Sequence, residues 1–157
     1  MEILKPIKIF QGLGGEDLNS IYKIARPKAL DKGEYIFKEN SPGDRIFLLS
    51  EGIVDIVVAN PVNKSESIVL AKLKPHDVIG EFTLFDDAPR SASAIAQIPI
   101  TYMEIKNSDL FDLFEKNNRI GMVVLKNLGT ILCGRLRSTD LELRNSLLWI
   151  GMQSDKA

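Results

Sequence analysis

The chain has 157 residues, a formal net charge of -1, 45% hydrophobic residues and 26% charged ones. That balance reads as one soluble globular domain and leaves no basic excess to attract nucleic acid or an anionic membrane. A lone cysteine (Cys133) and a lone histidine (His76) argue against an internal disulfide and a protein-built zinc or iron–sulfur centre, and for a reducing, cytoplasmic setting.

From the N-terminus, Lys5, Pro6 and Lys8 break up the stretch a signal peptide would need, and no apolar run reaches the ~20 residues of a membrane span. "GEDLNSIYKIA" predicts a helix with Leu18, Ile21, Tyr22 and Ala25 on one face, ended by Pro27. The period then changes to that of strands: "EYIFKE", "RIFLLS", "GIVDIVVA", "ESIVLAKL", "DVIGE", "SASAIAQ" and "TYMEI". Turn clusters separate them at Ser41-Pro42-Gly43-Asp44, Glu51-Gly52, Asn60-Pro61-Val62-Asn63 and Lys74-Pro75-His76-Asp77. Such spacing predicts an antiparallel sandwich or barrel.

Helical period returns with "NSDLFDLFEKN", where Asn107 or Ser108 is the expected N-cap and Leu110, Phe111, Leu113 and Phe114 form the apolar face. A longer helix follows, carrying Val124, Leu125, Leu128, Ile131, Leu132, Leu136, Leu143 and Leu147. Gly121, Gly129 and Gly134 within it mark close packing or a bend. The expected architecture is mainly β, a jelly-roll-like antiparallel β-roll over 30–105. An N-terminal helical segment (1–29) precedes it and two C-terminal helices (106–150) follow, in one domain over 1–157.

Catalysis finds little support. A serine or cysteine nucleophile needs a base, and His76 sits in a Lys-Pro-His-Asp turn that predicts a solvated side chain. One histidine is too few for a barrel metalloenzyme, and the paired acids Glu16-Asp17 and Asp86-Asp87 read as solvated surface. No catalytic residue and no metal ligand is assigned.

The informative stretch is "IGEFTLFDDAPRSASA" at 79–94. Gly80 lets another group approach closely, and the helical turn expected after it offers free N–H groups to an anion. Arg90 has a donor fork that matches two phosphate oxygens, and the small residues at 91–94 leave room for a ligand. Glu81 would repel phosphate but suits a sugar hydroxyl, and phosphate plus hydroxyl describe a nucleotide. The competing reading pairs Arg90 with Asp86 or Asp87 on the surface and leaves Glu81 solvated.

Ile79-Gly80-Glu81-Phe82-Thr83-Leu84-Phe85 followed by Pro89-Arg90-Ser91-Ala92 resembles the phosphate-binding cassette of the cyclic-nucleotide-binding domain family. That family includes bacterial catabolite activators, kinase regulatory subunits and cyclic-nucleotide-gated channels. Gly33-Glu34, Ile36-Phe37 and Glu39, and Pro42-Gly43-Asp44 with Phe47, Leu49, Gly52 and Val54, are similar to further family patterns. The resemblance implies cAMP or cGMP held in the β-roll. Glu81 would take the ribose 2′-OH and Arg90 the exocyclic phosphate oxygens. Gly80, Phe82 and Thr83 would line the sugar-phosphate, and Ser91, with Ala92 beside it, would add a donor to the phosphate. Ser91, where members preferring cGMP often carry Thr, favours cAMP.

The family's last helix caps the base, which brings in Leu136 and Thr139; Thr139 would bond the adenine edge or be a solvated helix threonine. Two departures stand out: His76 occupies a turn position where the family commonly has glycine, and Asp86 and Asp87 put negative charge near the phosphate. Only "WIGMQSDKA" follows Leu148, so no helix-turn-helix output and no direct DNA binding are expected. The implied function is a cyclic-nucleotide sensor signalling through its C-terminal helix to a separate, unidentified protein. The alternative is a degenerate β-roll that serves as an interaction module without a ligand. Leu132, Leu136, Leu143 and Leu147 fit either a homodimer seam or core packing.

Overall fold

The computed structural model describes residues 2–63 and 66–154, with side chains through 149. Single 3-10 turns at Glu2–Leu4 and Lys8–Phe10 lead into α1 (Gly15–Ile24). Eight strands follow: β1 (Arg26–Leu30), β2 (Tyr35–Phe37), β3 (Arg45–Glu51), β4 (Val54–Ala59), β5 (Ser67–Leu73), β6 (Val78–Ile79), β7 (Ser93–Ala96) and β8 (Ile100–Lys106). Two helices close the described chain, α2 (Asn107–Lys116) and α3 (Asn118–Ser154). The strands form two four-stranded antiparallel sheets, ordered β1-β8-β3-β6 and β2-β7-β4-β5. This is the expected roll between helices.

β3 explains why there are two cores. Its run Ile46-Phe47-Leu48-Leu49 is buried throughout because both faces are covered. Phe47 and Leu49 face the second sheet, with Val54, Ile79, Ala94 and Tyr102. Ile46 and Leu48 join Ile9, Phe10, Ile21, Leu110, Val124 and Leu128 under the helices. The roll is thereby clamped to the helical layer through one strand.

Three local expectations need correction. β1 has no counterpart in the sequence reading, since Arg-Pro-Lys-Ala is poor strand sequence; it lies at a sheet edge, where Pro27 opposite Met103 is tolerated. Tyr22 is 44% exposed rather than on the buried face, and it lies beside Ile3 and Pro27 in a shallow groove. Neither Asn107 nor Ser108 is the N-cap of α2. Lys106 holds that position without a side-chain cap, and Asn107 turns inward instead.

α3 packs by its first third. Ile120, Val124 and Leu128 are fully buried, and Ile131 and Leu132 are partly so. A Cβ on Gly121 would meet Phe114 Cβ at 3.0 Å, so this glycine marks close approach of α2; Gly129 and Gly134 face open space. Beyond that the helix leaves the core and meets the roll through Arg135, with Leu136, Leu143 and Leu147 58–63% exposed. Core packing of this chain therefore does not account for those three leucines. Among the described residues, no helix is long and apolar enough to cross a membrane.

Candidate functional site

A cavity of about 840 Å³ opens between the second sheet, the segment 76–92 and α3. Phe37, Ile56, Leu70 and Leu73 give it an apolar wall, with Leu70 at the register shift where β5 bulges against β4. Ile131, Gly134, Arg135 and Thr139 of α3 overhang the opposite side.

Gly80 takes the left-handed conformation (φ 76, ψ 21) and opens a 3-10 turn at Glu81–Leu84. A Cβ there would lie 2.3 Å from Arg90 Nη1, so position 80 needs glycine for its dihedrals and for space. Four residues make a weak dipole, so at this turn Arg90 attracts an anion more strongly than the helix end does.

Arg90 is 5% exposed and neither aspartate pairs with it. Its Nη1 donates to the Gly80 carbonyl at 3.0 Å and its Nη2 to the Arg45 carbonyl at 2.8 Å. The guanidinium stacks 4.3 Å from the Phe37 ring and 5.5 Å from Phe47. Nε is buried with no protein partner, and burial pulls the group below its ordinary arginine range. Backbone bonds to Ser41 and Asn40 fix the segment from behind. A buried cation aimed by backbone carbonyls, with donors unspent, is arranged to receive an anion.

Glu81 is 3% exposed, and Arg135 of α3 grips its Oε1 while also donating to the Val78 carbonyl at 3.2 Å. The sequence reading missed Arg135. It lies 54 positions from Glu81, and a helical arginine among leucines looks like solvated surface. Its i−4 relation to Thr139 was the available signal.

The other expected residues divide. Phe82, Thr83, Ser91, Ala92 and Thr139 all line the cavity, whereas Leu136 is exposed and does not. Thr139 Oγ1 donates to the Arg135 carbonyl at 3.1 Å, so its lone pairs are its remaining capacity. Asp86 lies exposed at the rim, where its Oδ1 accepts from Ala88 N at 3.2 Å; Asp87 is exposed and does not line the cavity. The surface-pair reading of Arg90 is thus set aside. His76 does adopt φ 78, but it is half-buried on the cavity wall, not solvated, and its Nδ1 has no partner. Its N–H donates to Leu49 O at 2.8 Å, which ties the turn to β3.

Burial raises the Glu81 carboxyl above the ordinary carboxylate range, against the pull of Arg135 and then of Arg90. The folded state then keeps a proton that the unfolded chain has released, so this group stabilises less as pH rises through the raised range. Wild type should therefore gain stability relative to Glu81→Gln as pH falls from neutral toward the ordinary carboxylate range near about pH 4, as read by urea unfolding. A difference independent of pH would contradict the assignment.

The family model described as the cyclic nucleotide-binding domain matches residues 27–117. A CRP-like cAMP-activated global transcriptional regulator of Mycobacterium tuberculosis is 28% identical over 90% of this chain and 61% of its own length. The cAMP-dependent protein kinase regulatory subunit of Dictyostelium discoideum is 31% identical over 59% of this chain and 28% of its own. Among solved structures, a cyclic nucleotide-binding domain from Methylobacillus flagellatus superposes with TM-score 0.77 at 27% identity, covering 87% of this chain and 76% of that one. The Thermus thermophilus catabolite activator protein superposes with TM-score 0.75 at 28% identity, covering 88% and 62%. The chain thus spans about three fifths of the bacterial regulators it matches. The match takes in the cassette and all eight strands but for the first residue of β1. The chain belongs to the cyclic nucleotide-binding domain family.

Proposed function

We propose that the cavity binds a 3′,5′-cyclic nucleotide, cAMP in preference to cGMP, and that α3 passes its occupancy to a separate protein. The observation that carries this is Arg90, a buried cation with unspent donors at the floor of an open cavity. Arg90 and Ser91 take the phosphate, and Gly80, Phe82, Thr83 and Ala92 line the sugar-phosphate. The Oε2 of Glu81, left free while Arg135 holds Oε1, accepts the ribose hydroxyl. Ile56, Leu70 and Leu73 offer the base an apolar face, and Thr139 an acceptor for the adenine amino group. Because Arg135 belongs to α3, a ligand on Glu81 acts on the helix that holds it. Ligand shifts the helix only by its differential affinity for the two positions. The exposed leucines of α3 supply a face for the protein that reads it, a second copy included.

Thermal unfolding tests the binding step. Cyclic nucleotide at 100 times its dissociation constant should add about 2.7 kcal/mol to the stability. An unchanged melting temperature with millimolar cAMP and with millimolar cGMP would falsify the proposal and favour the ligand-free interaction module.

A further inference from the structure

Asn107 does not line the cavity, yet it holds the turn that does. Its Nδ2 donates to the Thr83 carbonyl at 2.8 Å and to Thr83 Oγ1 at 3.1 Å, and its backbone N–H donates to the Asp44 carbonyl at 2.8 Å. Thr83 Oγ1 donates in turn to the Gly80 carbonyl at 3.0 Å, the same oxygen that accepts from Arg90 Nη1. One series of hydrogen bonds therefore joins the first residue of α2 to the cation at the floor of the cavity.

The orientation of the amide is forced. A carbonyl oxygen can only accept, so the nitrogen must face Thr83, and Oδ1 is left buried without a protein partner. A buried acceptor without a partner is costly, and an aliphatic side chain would avoid that cost. What an aliphatic side chain lacks is the pair of donors that Thr83 receives. Asn107 also begins α2, and α2 rests on α3 where Phe114 meets Gly121. This route from cassette to α3 starts at the same turn as the Glu81–Arg135 pair but uses none of its bonds.

We propose that Asn107 is a positioning residue: through Thr83 it sets the cassette turn, and through α2 it carries a shift of that turn to α3. The inference rests on the reading of the cavity as a cyclic-nucleotide site.

Asn107→Asp is isosteric and suits the first turn of a helix, but it sets a carboxylate oxygen against the Thr83 carbonyl. The bond to the cassette is then lost, and the melting temperature of the variant is measured alongside its affinity. Cys133, the one cysteine of the chain and exposed on α3, takes an environment-sensitive dye. Calorimetry with cAMP gives affinity, and dye emission at saturation gives the response of α3. Asn107→Asp, folded as wild type is, should bind at least about tenfold more weakly and show less than about half the wild-type dye response. Thr83→Val, which removes the hydroxyl and keeps the carbonyl, should lose less, and the double variant should lose less than the sum of the two.

Wild-type affinity with a full dye response in folded Asn107→Asp overturns the role. So does a dye that stays silent when wild type binds, and so does additivity with Thr83→Val. An affinity loss that only tracks a lowered melting temperature marks Asn107 as merely structural and overturns it too. Wild type is titrated first with both nucleotides. If it binds neither, the reading of the cavity falls, an outcome distinct from failure of Asn107 alone.

Discussion

Arg90→Ala should weaken cAMP binding by about 30-fold to several thousand-fold, the equivalent of about 2–5 kcal/mol for truncating one side of a buried charge pair. The size follows from burial, since at 5% exposure water cannot screen the guanidinium from a bound phosphate. Arg90→Lys should recover only part of the loss. An ammonium keeps the charge, but it cannot bond the Gly80 and Arg45 carbonyls and also present a planar fork to two phosphate oxygens. Equal affinity of Arg90→Ala and wild type by calorimetry would sink the phosphate assignment, and equal affinity of Arg90→Lys would sink the claim of bidentate geometry.

Gly43→Val should come next in effect, although Gly43 does not line the cavity. A Cβ at that position would lie 2.3 Å from Thr83 Cγ2 and 2.9 Å from the Arg90 Cζ and Nε. Thr83 cannot turn aside without losing its bonds to Gly80 and Asn107, so the guanidinium must move. Overpacking of this kind costs about 1–3 kcal/mol of stability. Because the displaced group is the proposed phosphate ligand, cAMP affinity should fall by at least about tenfold as well. Gly33→Ala makes the matching control. Gly33 has φ +87 in open space, so alanine should cost about 1–2 kcal/mol through backbone strain alone and leave affinity unchanged. If both variants lose stability and neither loses affinity, Gly43 does not position Arg90.

What was legible in the sequence was what lies close together along it. Gly80, Glu81, Arg90 and Ser91 fall within one short stretch, so the cassette could be read as a unit, and strand period with turn clusters placed seven of the eight strands. What escaped was set by distant partners. Arg135 means nothing until α3 is laid over Glu81. Asn107 has the side chain of a helix cap, and only the neighbouring Thr83 carbonyl recruits it inward. His76 was placed in a turn, because turn chemistry is local; its left-handed backbone and its burial against the cavity wall are set by the fold around it. β1 lacks local strand propensity and owes its existence to pairing with β8.

The exposed run of α3 has a mechanical consequence. From Leu128, the last fully buried position on the helix, to Trp149 is about 30 Å of helix at 1.5 Å per residue. In the signalling proposed above, such a rod serves as a lever with its fulcrum in the core and its arm passing over the cavity. A tilt of about 10° at Leu128 sweeps Trp149 through roughly 5 Å, while Arg135 travels only about 2 Å. Arg135 grips the arm about 10 Å from the fulcrum, close enough to turn it and far enough from the tip to leave a threefold gain in displacement.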